Sequence, residues 1–228
     1  MAPLSESVAT VDVGGIILCG GRSSRMGVPK LALPFGPELM LQRVVRLLSE
    51  VVQPIVIVAA PGQELPELPA GVIVTRDDRE GRGPLEGLAA GLRALPEAVE
   101  AAYATSCDVP LLVPGFVRRM IELLGEHQIA VPKTDEYQHP LAAVYRRDVL
   151  PTVEALLADD RLRPVFLFDA VPTRRVTPEE LEDVDPELLT LENLNYPADY
   201  LAALSRAGFE LSPELRQKLH DAGARTAS

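Results

Sequence analysis

Ile16-Ile17-Leu18-Cys19-Gly20-Gly21-Arg22-Ser23-Ser24-Arg25-Met26-Gly27-Val28-Pro29-Lys30 begins as an apolar run, stops at two glycines and turns through polar and basic residues. It reaches a lysine nine positions after Gly21. This order predicts a strand feeding a tight phosphate-binding loop. Glycine lets the main chain come close to a ligand, and successive N–H groups in such a turn form a concave nest for anions. Arg22, Arg25 and Lys30 place three cations within nine residues. The common glycine-loop patterns do not fit, because Gly27 and Lys30 are not an adjacent Gly-Lys-Ser/Thr and no Gly-x-Gly-x-x-Gly is present.

Outward from that loop, strands and helices alternate. Val13 to Cys19 is a short apolar run suited to a strand covered on both faces. Leu41, Val44, Val45, Leu48 and Val52 recur at helical spacing. Pro54 to Ala59 and Gly71 to Thr75 read as strands, Pro84 to Ala94 as a helix with proline in its first turn, and Ala101 to Ser106 as a fourth strand. Such alternation implies βαβ units, a mostly parallel sheet and right-handed crossovers, with ligands bound outside the carboxyl ends of the strands. The opening loop, Asp77-Asp78 and Asp108 all follow strand ends.

The second half is less regular. Ile129 to Val131, His139 to Tyr145, Val171 to Val176 and Leu188 to Leu191 read as short strands, and Val149 to Ala158 and Pro197 to Ala207 as helices. Arg163 to Asp169 fits either type, and the tail from Pro213 reads as one polar helix. Expected boundaries are an N-terminal tail over 1–12, one domain over 13–208 and a C-terminal segment over 209–228.

Of the 228 residues, 47% are hydrophobic, enough for one sizeable core. Asp and Glu outnumber Lys and Arg by 33 to 22, so the net charge of -11 argues against general binding to nucleic acid or an anionic membrane. Cys19 and Cys107 form no Cys-x-x-Cys pair and read as buried thiols. No apolar stretch reaches membrane-spanning length and the first residues lack a basic signal-peptide start, so a soluble cytoplasmic protein is expected.

Asp108, at the end of an apolar strand before Val109-Pro110, offers a lone carboxylate. A hard divalent cation such as Mg²⁺ takes one or two carboxylates and completes its shell with nucleotide phosphates and water. The other reading of Asp108 is a cap for the turn that follows.

Leu18 to Lys30 resembles the L-A-G-G-x-S-x-R-M-G-x-x-K signature of small nucleotidyltransferases, and is most similar to the molybdenum cofactor guanylyltransferases. The resemblance runs from about Gly15 to Leu204. It implies a Rossmann-like three-layer α/β/α sandwich of the nucleotide-diphospho-sugar-transferase type, with a nucleotide-binding half over about 13–110 and an acceptor-binding half over about 111–208. It further implies GTP as donor, a molybdopterin-type acceptor and Mg²⁺ as cofactor, with molybdoenzymes or other cofactor-biosynthesis proteins as candidate partners.

By the same resemblance, Leu18, Cys19, Gly20 and Gly21 hold the nucleotide, Arg25 and Lys30 stabilise phosphate charge, and Asp108 binds the metal and the nucleotide. Asp77 matches a nucleotide-binding aspartate, with Asp78 a close competitor. Gly83-Pro84-Leu85-x-Gly87 is similar to a segment lying against guanine, where related cytidylyltransferases carry a serine-containing sequence. His139-Pro140 resembles an acceptor-side strand, and Asn193-Leu194-Asn195-Tyr196-Pro197 a closing segment in which an asparagine, Asn193 or Asn195, faces the site. Arg161, Arg163, Arg174 and Arg175 read either as acceptor contacts or as a solvated charged face.

Two positions depart from the pattern. Tyr196 replaces a threonine whose hydroxyl would cap the last helix, and Ala59 stands where some members have a nucleotide-contacting asparagine. Two other functions remain open at this level: a different nucleotidyltransfer, either CMP to molybdopterin or a nucleotide to a sugar phosphate, and a non-catalytic scaffold that binds nucleotide or delivers cofactor.

Overall fold

The computed structural model describes residues 12–20, 29–77, 79, 81–135, 137–214 and 217. Its strands are β1 (Val13–Leu18), β2 (Pro34–Phe35), β3 (Glu38–Leu39), β4 (Ile55–Ala59), β5 (Ile73–Arg76), β6 (Ala101–Ser106), β7 (Ile129–Pro132), β8 (Ala142–Arg146) and β9 (Thr173–Val176). The α-helices are α1 (Met40–Ser49), α2 (Pro84–Ala94), α3 (Pro114–Leu124), α4 (Leu150–Ala158), α5 (Val165–Ala170) and α6 (Pro197–Arg206).

Seven strands form one sheet in the order β5-β4-β1-β6-β8-β7-β9. β1 lies between β4 and β6 and runs parallel to both, while β8 is antiparallel to β6 and to β7. The expected three-layer α/β/α sandwich follows from alternation along the strands. Ile17 and Cys19 point into a core shared with Val44, Leu48, Phe116 and Met120 of α1 and α3. Ile16 and Leu18 point the other way, against Leu85, Leu88 and Leu92 of α2 and Val153 of α4. A strand buried on both faces has to be apolar throughout, as β1 is.

Gly91 shows how closely α2 lies on β1, because a Cβ there would stand 2.6 Å from Ile16 Cγ2. Gly91→Ala is expected to lower stability by about 1–3 kcal/mol, since overpacking the interface outweighs a helix-propensity gain of about 1 kcal/mol. A denaturant midpoint at or above that of wild type would show that Ile16 yields.

A third, smaller core joins α6 to the β2–β3 hairpin through Phe35, Met40, Leu194, Tyr200 and Leu204. The Tyr200 hydroxyl donates to the Pro34 carbonyl, and Phe209 meets Phe35 edge-on at 5.8 Å. Phe209 and Leu211, in the segment past Gly208, both pack against this core.

The second half differs from expectation in three places and resolves a fourth. Leu188 to Leu191 is no strand: the Asp185 carboxylate accepts from the Leu189 and Thr190 amides at 2.9 and 3.0 Å, closing Leu189–Leu191 into a 3-10 turn. The strand expected from His139 starts only at Ala142, because His139 and Pro140 belong to the preceding turn. The undecided stretch Arg163 to Asp169 carries the short helix α5, with Leu167 and Phe168 buried. The helix α3 was not anticipated at all. Most of the tail expected to be helical from Pro213 lies outside the described residues.

Candidate functional site

The carboxyl ends of β1, β4, β5 and β6 meet along one rim, and backbone hydrogen bonds extend the sheet past the strands. The Cys19 amide donates to the Val58 carbonyl at 2.8 Å, that of Cys107 to Leu18 at 3.1 Å and that of Asp77 to Ala59 at 3.0 Å. Gln63 adds a side-chain tie, donating from Nε2 to the Cys19 carbonyl at 3.0 Å while its Oε1 accepts from the Ala60 amide at 2.9 Å. The entry to the opening loop is thus fixed from both sides.

Two cavities open over this rim and share Leu18, Gly20, Ser106 and Leu141. The larger, about 620 Å³, is walled by Asp77, Arg82, Gly83, Pro84 and Gly87. The smaller, about 280 Å³, holds Lys30, Asp108, Asn193, Asn195 and Gln63.

At the smaller cavity Lys30 Nζ donates to Asp108 Oδ2 at 2.8 Å and to Asn195 Oδ1 at 3.0 Å. The Ser106 hydroxyl donates to Asp108 Oδ1. Ser106 lies two residues before Asp108 at the strand's end, so both can reach the same rim. The lysine and aspartate side chains are each 15% exposed, open to a ligand yet shielded enough for their charges to act at reduced dielectric. Asn195 reaches Lys30 across 165 residues of sequence because α6 is docked on the β2–β3 hairpin.

Tyr196 does not leave the α6 start bare: Asp199 Oδ2 accepts from the amides of Asn195 and Tyr196 at 3.1 and 2.8 Å. That carboxylate supplies the helix-side half of a capping box, on different amides from those a threonine hydroxyl would meet.

Asp77 sits between the two glycine segments. A Cβ on Gly20 would lie 3.0 Å from Asp77 Oδ2, and one on Gly87 3.2 Å from Asp77 Oδ1. Gly83 precedes α2 at φ 79°, a left-handed conformation that a side chain would strain. Leu85 differs from its neighbours: its side chain is fully buried under α2 and lines neither cavity, so it acts as core and could offer a ligand only its backbone. Ala59 is likewise fully buried and presents no polar group where the family pattern can place asparagine.

Leu141 lines both cavities whereas His139 lines neither. The His139 ring lies 3.3 Å from Thr134 Oγ1, and burial lowers its pKa, so its neutral form is favoured. Arg161 stacks over Phe166 at 4.4 Å, and Arg174 and Arg175 pair with Glu180 and Asp169. Those three arginines are engaged within the second half. Cys19 and Cys107 are buried, as expected, and the hydrogen bond between their side chains together with burial raises the Cys19 thiol pKa. Gly21, Arg22, Arg25 and Asp78 lie outside the described residues.

Ser106, Gln63 and Arg82 are site residues that sequence reading did not assign, whereas Leu141 lies in the acceptor-side segment that begins at His139. Only Ser106 carried a usable signal, its two-residue spacing from Asp108.

A sheet with one reversed strand, carrying a cation–carboxylate pair and glycine walls at its carboxyl rim, defines a nucleotidyltransferase of the α/β class. Residues 15–173 match the model of the MobA-like NTP transferase domain. A probable molybdenum cofactor guanylyltransferase from Mycobacterium avium is 38% identical over 204 residues, covering 87% of this chain and 98% of the relative. The chain belongs to the MobA-like NTP transferase family.

Among solved structures, molybdopterin-guanine dinucleotide biosynthesis protein A from Archaeoglobus fulgidus superposes with a TM-score of 0.70 at 20% identity, covering 86% of this chain and 98% of that one. The 2-C-methyl-D-erythritol 4-phosphate cytidylyltransferase from Thermus thermophilus gives 0.62 at 15%, covering 85% and 98%. Both share the fold. Among the described residues no helix is long and apolar enough to cross a membrane.

Proposed function

We propose that the protein transfers GMP from GTP to a molybdopterin-type acceptor, with release of pyrophosphate. The observation that carries this reading is the junction of the two cavities at Leu18, Gly20 and Ser106, with Lys30 and Asp108 beside it. The larger cavity suits a nucleoside and the smaller one the reacting phosphates. An oxygen of the acceptor phosphate attacks the α-phosphorus of GTP in line. The bond from α-phosphorus to the bridging oxygen breaks and pyrophosphate leaves. The attacking group is already an anion, so positioning and charge neutralisation carry the rate and no strong base is needed.

Lys30, with Arg25, neutralises charge on the α-phosphate and the departing pyrophosphate. The loop amides beyond Cys19, whose own amide is held by the Val58 carbonyl, cradle the phosphates. Asp77 and the Gly83-Pro84 wall hold the nucleoside, while Asn193 and Asn195 belong to the acceptor side; His139 lines neither cavity and serves that side only through the turn that presents Leu141. In this division residues 13–110 form the nucleotide half and 111–208 the acceptor half.

The donor set fits a divalent cation that arrives with the nucleotide. Asp108 is a single, partly exposed carboxylate, and no group of three or more His, Cys, Asp or Glu side chains among the described residues forms a protein cage. Asp108 would hold Mg²⁺ through oxygen, and the bound ion would supply positive charge to the phosphates.

Gly83-Pro84-Leu85-x-Gly87 and the names of the relatives favour guanine over cytosine. Pyrophosphate release from GTP, CTP, ATP and UTP with Mg²⁺ and a molybdopterin-type acceptor tests the reading. Release from GTP alone is expected. Preference for CTP would overturn the base assignment but keep the reaction, and release from no nucleotide despite nucleotide binding would leave a binding scaffold or a different acceptor, which a sugar-phosphate panel separates.

A further inference from the structure

We propose that Arg82 is the surface on which the nucleotide base stacks, its guanidinium held by its edges so that a flat face turns to the larger cavity. The proposal rests on the nucleotidyltransfer reading and assigns base discrimination to a residue outside the Gly83-Pro84-Leu85-x-Gly87 motif.

All three nitrogens of Arg82 are engaged. Nε donates to Glu86 Oε2 at 3.2 Å, Nη1 to Asp160 Oδ1 at 2.9 Å and Nη2 to the Leu157 carbonyl at 2.6 Å. Guanidinium N–H bonds lie in the plane of the group, so acceptors on all three nitrogens occupy its rim. Three of its five N–H donors are used, which leaves one in-plane N–H on each Nη and the faces of the plane to meet a ligand. Arg82 keeps 20% of its side chain exposed and lines the cavity beside Gly83 and Pro84.

The plane is also fixed in place. Glu86 is only 3% exposed, and swinging Arg82 toward a phosphate would leave that buried carboxylate, among the described residues, with Arg79 as its ion-pair partner, 3.5 Å away and 58% exposed. Losing a close partner from a buried charge is costly. Arg82 is absent from the lining of the smaller cavity, where Lys30 and Asp108 lie. A cation confined to the nucleoside cavity and pinned at its edges is preorganised to stack on an aromatic heterocycle rather than to meet phosphate. Purines offer the larger face, so the contact discriminates by ring size.

Equilibrium binding of GTP, ATP, CTP and UTP to the full chain separates stacking from a purely structural clamp. Arg82→Lys keeps the charge and loses the plane. Asp160→Asn keeps the plane, loosens one pin and tolerates the left-handed backbone at 160, where φ is 57°.

Stacking predicts that Arg82→Lys raises Kd about ten-fold for GTP and ATP but less than about three-fold for CTP and UTP. Asp160→Asn should shift all four alike by less than about three-fold. An equal rise for all four with Arg82→Lys, no rise, or the same purine-selective loss from Asp160→Asn would overturn the proposal. If Arg82→Lys does not fold, Arg82→Gln, with a smaller planar end, should show a weaker loss in the same purine-over-pyrimidine order, and an equal loss for all four would overturn it. A wild-type protein that binds no nucleotide would instead remove the nucleotidyltransfer reading itself, and this proposal with it.

Discussion

Lys30→Ala is expected to cut turnover by about 10²–10³-fold while the protein still melts as one folded unit. Lys30 is the cation that two separate parts of the chain hold at the smaller cavity: Asp108 on the β6 rim accepts from its Nζ at 2.8 Å and Asn195 before α6 accepts at 3.0 Å. That dual hold sets the ammonium where negative charge gathers as pyrophosphate departs. The fold should survive the loss, because Asp108 keeps the Ser106 hydroxyl as a donor and the unpaired, 15% exposed carboxylate costs about 1–2 kcal/mol.

The effect should therefore appear in kcat, with a melting temperature within a few degrees of wild type. Lys30→Arg should recover only part of the rate, since a flat guanidinium cannot reproduce a compact ammonium at the same point. Pyrophosphate release at saturating GTP and acceptor, alongside a thermal melt, reads both. Full activity with a normal melt would remove Lys30 from the chemistry.

Why Lys30 could be recognised from sequence while its partner Asn195 could be assigned only a general acceptor-side role is a matter of distance along the chain. The strand, glycine turn and lysine occupy one short stretch whose residue types each state a backbone requirement. The β1 run is apolar at every position because both of its faces are covered, by α1 and α3 on one side and α2 on the other. The contact between Lys30 and Asn195 depends instead on α6 docking against the β2–β3 hairpin, a packing event with no local signature.

The helix α3 was missed for a different reason. Pro114-Gly115 reads as a breaker, yet proline in a first helical turn gives up only an amide that has no partner there, and Phe116, Val117, Met120 and Leu124 behind it keep helical spacing. Leu85 shows what a motif leaves open. A motif match assigned it to the nucleotide, but within Pro84–Ala94 its side chain falls on the stripe that α2 buries against the sheet. Motifs name segments, whereas helical phase decides which side chain of a segment meets a ligand.

Asp108→Asn should remove both turnover and divalent-cation binding in the presence of nucleotide, with little change in stability. The substitution keeps the shape of the side chain: its amide oxygen can still accept from Lys30 Nζ while its NH2 donates to the Ser106 hydroxyl, which turns to accept, so the rim of β6 has no reason to move. It removes the negative charge, and a neutral amide oxygen is a weak ligand for a hard divalent ion. Mn²⁺ titration by electron paramagnetic resonance, with a non-hydrolysable GTP analogue, measures this without requiring turnover. The expected results are a loss of about ten-fold or more in Mn²⁺ affinity and of about 10²–10³-fold in rate. Unchanged Mn²⁺ affinity would mean that the phosphates hold the ion unaided. The Asp108 carboxylate would then serve only to orient Lys30, and Asp108→Asn should lower the rate no more than Asn195→Ala, which removes the other acceptor for the same ammonium.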